Sequence, residues 1–400
     1  MLDYPLGKLY TPRVMGVSTN ADIPTRGAGS TGLQANASLA KKRYEWIDNS
    51  RSIAAFLILV NHLLAMSHFG GTYGSEYLRL LVWGIPYSGY VPFFLLLAGY
   101  FLARNITWGK AWNRFVWLLI PFAAWNCLFA FGCLGRPLTI ETLGVDIMGI
   151  NKVFLFDVRL FKEMADCTPA IGPSWFLRDI LFLSLLTPMI AKFGKWIPVL
   201  LLAMASLALL NSAPHSNYFL SPQAVFFYAL GVWLSRYKIE EVNHLLNPAF
   251  TKYFVGGTLI SACSVTYLYL HPLPTGILGA GTSMDFLMFH GFFYTLVGML
   301  FGTLMIAYTG VLIEKHLPGL SKRLAPLGPA CFLVFMLHWP ILVILKSHVP
   351  AELWNSWWIL CLPIPLFAVI CLLFLGMKKY TPFLMPYLGH MKLPKKASTK

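Results

Sequence analysis

Charge is what this chain has least of. Only 12% of its 400 residues are Asp, Glu, Lys or Arg, against about 25% in an ordinary soluble domain, too little to clothe a water-facing surface. Acids are the scarcer sign, 16 against 31 Lys and Arg. The seven cysteines show no C-x-x-C or related spacing, so no metal is expected. Gly-x-Ser-x-Gly does not occur, nor does a P-loop or a zinc-hydrolase pattern, which excludes chemistry built on those motifs. No repeat period stands out. Residues 1–45 are rich in Gly, Thr, Asn, Pro and Ser, hold no apolar run of the kind a signal peptide needs, and read as a flexible tail.

What fills the rest is apolar. Hydrophobic residues make up 57% of the chain and the mean hydropathy is +0.63. They fall in blocks at about 52–68, 85–103, 115–134, 175–191, 196–211, 220–235, 253–270, 285–309, 328–348 and 356–376. Each approaches the ~20 residues that cross ~30 Å of hydrocarbon as a helix. The expected fold is all-α: a polytopic membrane helix bundle of about ten spans over residues 46–380, followed by a basic tail at 381–400. Five cysteines (Cys127, Cys263, Cys331, Cys361 and Cys371) lie within these blocks and behave as small hydrophobes. Cys133 and Cys167 flank a long loop and can pair in an oxidising compartment.

A formal charge of +15 points to nucleic acid only when the cations share a folded face. Here they sit in alternate short loops: Lys41, Lys42 and Arg43; Arg104 and Lys110; Lys192 and Lys195; Arg236 and Lys238; Lys315, Lys322 and Arg323; Lys378 and Lys379. The intervening loops are poor in Lys and Arg or balanced by acids. The positive-inside rule then puts both termini in the cytoplasm and makes the protein a multi-pass resident of the cytoplasmic (inner) membrane. Its partner is the lipid bilayer, with no nucleic acid.

Two ionisable residues of the first block stand out. Arg51 lies at its cytoplasmic entry and His62 follows eleven residues later, which is three helical turns plus ~20°, so the two share one stripe about 16 Å apart and can line one cavity. Lipid offers an imidazole no partner, so His62 faces the bundle interior. There it serves either as a packing residue bonded to a neighbouring helix or as a proton acceptor. Arg51 is either a snorkelling anchor or a binding residue.

The sequence around them resembles the acyltransferase-3 family of membrane enzymes. The resemblance begins at W46-I-D-N-S-R51 with the R-x10-H spacing and runs through V91-P-F-F-L-L-L-A-G-Y100. It continues with Arg114 and Pro121, S174-W-F-L-R-D-I-L and Pro188, and F332-L-V-F-M-L-H338-W-P. Fucose 4-O-acetylase-like members are the branch suspected. Two positions depart from the family pattern. Ala98 stands where Ser is common, and Trp117 stands where an R-x-x-R pair starting at Arg114 would place its second Arg.

The resemblance implies an O-acyltransferase that moves an acyl group, acetyl being expected, from cytoplasmic acyl-CoA (acetyl-CoA) to a hydroxyl of an envelope polysaccharide or lipid-linked sugar. It implies His62 as general base in a cavity also lined by Arg51, both taken as catalytic residues, and a substrate-contacting role for His338. Cationic clamps for the donor's phosphates are expected among Arg104, Lys110 and Arg114, each of which reads equally as a topology anchor. Trp175, Arg178 and Asp179 open the fourth block and form a candidate sugar-contacting set, or else an interfacial Trp beside a local ion pair. Two other readings stay open. One is a multi-pass transporter or exporter of a glycan or small solute. The other is a family member that binds acyl-CoA without turnover.

Overall fold

The computed structural model describes residues 44–67, 88–133 except 105, 171–201 except 199, 220–239, several positions between 252 and 259, and 299–388. Every regular element among them is helical, with no strand. We number the α-helices α1 (Glu45–Met66), α2 (Ser88–Ala103), α3 (Trp108–Cys127), α4 (Trp175–Lys192), α5 (Pro222–Leu234), α6 (Met299–His316), α7 (Pro318–Leu324), α8 (Cys331–His348), α9 (Ala351–Trp354) and α10 (Pro363–Tyr380). The segments Trp108–Phe131, Pro318–His348 and Trp358–Tyr380 are long and apolar enough to cross a bilayer, and Gly89–Ala103 and Gln223–Leu234 are shorter apolar helices. Trp358, Ile364 and Leu372 are at least 66% exposed, a surface that lipid covers and water does not.

Eight of the ten expected blocks coincide wholly or in part with helices. The blocks at 196–211 and 253–270 fall largely outside the described residues, as do residues 1–43, the loop at 134–170 with Cys167, and 389–400. Pro382–Leu388 forms a 3-10 turn whose Met385 is buried in the core, so the packed structure reaches into the stretch read as a tail.

The first helix starts seven residues before its apolar block, and the reason lies in its partners. Asn49 donates to the Ser321 hydroxyl at 2.8 Å, Ser50 to the Ile306 carbonyl at 3.1 Å and Ser52 to the Leu324 carbonyl at 3.2 Å. Ser321 in turn donates to Glu45, and Glu314 accepts the Trp46 backbone N–H. Polar side chains that hydropathy reads as a membrane exit are satisfied by α6 and α7, so the helix continues through them.

Small residues set the helix spacing elsewhere. A Cβ on Gly99 would collide with the Tyr228 carbonyl, and one on Gly231 with the Leu96 carbonyl, so α2 and α5 pack backbone to backbone. Gly310 admits Ser50 of α1 in the same way. The buried residues form two apolar clusters. One joins α1, α2, α4, α5, α6 and the start of α8, and the other joins α1, α8 and α10. Helix α1 belongs to both, which places its interior stripe at the centre of the molecule.

Candidate active site

On that stripe, His62 of α1 meets His338 of α8. The ring centroids are 5.1 Å apart at an interplanar angle of 34°, and the indole of Trp339 stands edge-on to His62 at 5.4 Å. The Nδ1 of His338 lies 2.9 Å from the Val334 carbonyl oxygen one turn back. A carbonyl only accepts, so Nδ1 carries the proton and Nε2 presents a lone pair in the neutral ring. That Nε2 is buried with no hydrogen-bond partner among the described residues.

His62 lines a cavity of about 70 Å³ together with Tyr90, Trp175, Gln223, Met299 and Phe335. Most of these come from the N-terminal ends of α2, α4, α5 and α6, so the cavity lies toward that end of the bundle. The entry to α4 is anchored by the buried Asn126, whose Oδ1 accepts from the Ile171 N–H and the Ser174 hydroxyl; this fixes Trp175 at the cavity wall. Gln223 and Tyr90 carry polar groups into an otherwise apolar lining.

Arg51 is elsewhere. It lines a second cavity of about 310 Å³ with Phe94, Ala98, Phe101, Phe176, Cys331 and Phe335, and its guanidinium is 3.4 Å from Asp48 one turn earlier. The shared stripe on α1 therefore does not produce one shared cavity. Phe335 of α8 lines both spaces and sits 3.8 Å, centroid to centroid, from Phe176 of α4. Helical phase brings Arg51 and His62 to the same face, and these two rings divide that face.

The remaining expected residues separate. Arg104 lines a polar cup of about 480 Å³ with Arg236, Lys238, Ser235 and Tyr237. One of its nitrogens donates to the Tyr100 hydroxyl at 2.8 Å and to the Tyr237 carbonyl at 3.0 Å. Arg114 donates to the Leu102 carbonyl at 2.9 Å, which makes it a cap on the C-terminus of α2. Lys110 is exposed in the first turn of α3, outside the described cavities. Arg51, Arg104 and Arg114 nonetheless share the end of the bundle where α1 begins and α2 finishes.

Arg178 and Asp179, expected at the substrate, are fully buried and line no described cavity. They pair with each other at 3.4 Å, and Asp179 accepts the Ser221 N–H at 3.2 Å. Ser221 is the residue that starts α5, so the pair ties α4 to α5, as does the buried Thr187–Tyr228 hydroxyl contact. His338, also expected at the substrate, is 0% exposed and touches His62 in place of the cavity. Side-chain direction decides these placements, and spacing along the chain does not reveal it.

A family model described as an acyltransferase domain, Acyl_transf_3, matches residues 44–376. The chain belongs to the acyltransferase-3 family. No curated protein and no solved structure matches it. Family membership makes the protein a membrane acyltransferase in kind, and the match takes in both histidines, Arg51 and every residue of the three cavities. Among described residues, the cavities of this acyltransferase-3 chain are lined by four residues that the motifs did not single out. Phe335 looked like one more apolar residue of its block, and Arg236 and Lys238 looked like topology charges. Gln223 is a lone amide in the otherwise apolar stretch between Pro222 and Gly231, a signal visible in the sequence.

Proposed function

We propose that this acyltransferase-3 protein is an O-acyltransferase that takes an acyl group, acetyl by expectation, from cytoplasmic acyl-CoA. It passes the group to a hydroxyl of an envelope polysaccharide or its lipid-linked sugar precursor. The observation that carries this reading is the pair of cavities that approach each other from opposite ends of α1 and meet at Phe335. One contains a guanidinium and lies at the basic end of the bundle; the other contains an imidazole and an indole.

In this reading Arg104, Arg236 and Lys238 hold the phosphates of the donor, since guanidinium and ammonium groups bind phosphate by charge-assisted hydrogen bonds. Arg51 stands beside the pantetheine arm. The thioester reaches His62, and the acceptor hydroxyl enters past Trp175 and Gln223. His62 is the general base: it takes the hydroxyl proton while the oxygen attacks the thioester carbonyl carbon. The tetrahedral intermediate collapses with cleavage of the C–S bond, and the imidazolium returns the proton to the departing thiolate. The products are the ester and free CoA thiol, and His62 is again neutral.

The test is mass spectrometry of envelope polysaccharide from cells carrying wild type, His62→Gln or a deletion. An acyl mass increment present in wild type and lost in both variants is expected. An increment that survives His62→Gln removes His62 as base. A deletion with no acyl difference but with a solute retained inside the cell makes the protein an exporter.

A further inference from the structure

His62 needs a defined tautomer to act as a base toward the cavity, and no group on its own helix supplies one. Ile58 and Met66, one turn either side, are apolar. The carboxylate that commonly orients a catalytic imidazole has no counterpart in the lining of the His62 cavity, which contains no Asp or Glu among the described residues. The ring that meets His62 from another helix is that of His338, with its Nε2.

We infer that His338 is a positioning residue for His62: its Nε2 lone pair accepts the ring N–H of His62 and thereby turns the other ring nitrogen, lone pair outward, to the acceptor hydroxyl. This rests on the function proposed above. Three observations support it independently of family likeness. The Val334 carbonyl fixes the proton of His338 on Nδ1. Nε2 is a buried acceptor with no partner among the described residues, and such an atom is costly to leave unpaired. The separation of the rings also suits the bond. Two imidazoles joined edge to edge by an N–H···N contact of ~3 Å have centroids roughly 5 Å apart, and the centroids here are 5.1 Å apart. A rotation of the His62 ring against the Trp339 edge completes the alignment.

The consequence for catalysis is a two-imidazole relay in which one ring reacts and the other only holds. When His62 takes the substrate proton, its second N–H stays on His338, so the new charge is shared within a hydrogen bond. His338 itself loses and gains nothing, because its Nδ1 keeps its own proton and donates it in a hydrogen bond to the Val334 carbonyl.

The experiment compares His338→Gln, whose side-chain oxygen can stand near the position of Nε2, with His338→Leu, which keeps bulk and removes the acceptor. Both are purified into nanodiscs and assayed with acetyl-CoA and a sugar acceptor. His338→Leu is expected to lose kcat by on the order of 100-fold with the acetyl-CoA KM within about threefold of wild type, and His338→Gln to recover most of the loss. Equal losses in the two variants, or a wild-type kcat in His338→Leu, overturn the assignment.

Should His338→Leu fail to fold, solid-state NMR of wild type with ring-¹⁵N histidine decides the question. His338 must show a protonated Nδ1 and a hydrogen-bonded, unprotonated Nε2, and His62→Leu, which has no donor, must remove the bonded component. A protonated Nε2 on His338 overturns the assignment. Wild type that transfers no acyl group from any acyl-CoA instead defeats the proposed function, and the NMR result still reads the pairing.

Discussion

Phe335→Ala tests the division between the two cavities most directly. An engineered apolar cavity of about 150 Å³ admits one benzene, roughly 25 Å³ for each of its carbons. By that measure the His62 cavity, at about 70 Å³, takes about three non-hydrogen atoms, the size of an acetyl group. Butyryl adds two methylenes, which must displace a wall residue such as Phe335. Forcing that much extra volume into a packed site costs about 1–3 kcal/mol.

Removing the phenyl ring opens the small cavity toward the 310 Å³ space beside Arg51. The two methylenes then gain about 0.8 kcal/mol each from burial. The ratio of kcat/KM for acetyl over butyryl donors is expected to fall by roughly 70-fold to 2,000-fold, since the relieved and gained terms together come to about 2.6–4.6 kcal/mol and each ~1.4 kcal/mol is a factor of ten. The assay is transfer from acetyl-, propionyl- and butyryl-CoA to a sugar acceptor in nanodiscs. Truncating a buried Phe to Ala costs about 3–5 kcal/mol of stability, so Phe335→Leu is measured alongside it and should show a smaller shift in the same direction. Folded, active Phe335→Ala with an unchanged ratio refutes the reasoning, and so does wild type that uses butyryl-CoA as well as acetyl-CoA.

Other outcomes follow from the same geometry. Arg236→Gln combined with Lys238→Gln should raise the acyl-CoA KM about tenfold, in line with the loss of a charged hydrogen bond, and leave kcat near wild type. A control with dephospho-CoA esters should lose part of that difference. Gly231→Val, which drives a side chain into the Leu96 carbonyl, should lower the melting temperature in detergent by the equivalent of about 1–3 kcal/mol. Asp179→Ala strips the carboxylate from buried Arg178 and the acceptor from the Ser221 N–H. It should cost about 3 kcal/mol and show as loss of monodisperse protein on size exclusion, with Asp179→Asn less severe. Trp175→Ala should raise the KM for the sugar acceptor and leave that for acyl-CoA unchanged in steady-state assays.

Much of the architecture was legible in the chain because lipid imposes local rules. A backbone in hydrocarbon must satisfy its own hydrogen bonds, so a block of about 20 apolar residues reads as a helix wherever its neighbours lie. The R-x10-H spacing placed Arg51 and His62 on one face of α1 for the same reason, since helical phase is a property of one segment. The motifs around Trp46, Pro92, Trp175 and His338 identified the family. Helix α1 begins ahead of its apolar block because hydropathy sums a segment's own residues, whereas Asn49, Ser50 and Ser52 are satisfied by α6 and α7.

What meets what was decided by packing between segments far apart in the chain. The Gly99–Gly231 approach sets how deeply α2 and α5 interlock. The Arg178–Asp179 pair turns inward because Ser221 offers its N–H there, and Arg114 bends back to cap α2. Phe335 became a wall because Phe176 of α4 lies opposite it. Composition and spacing determined that this is a helical membrane protein with a histidine at depth; only the tertiary structure set that histidine against the ring of His338, because a helix from the other end of the chain packs there.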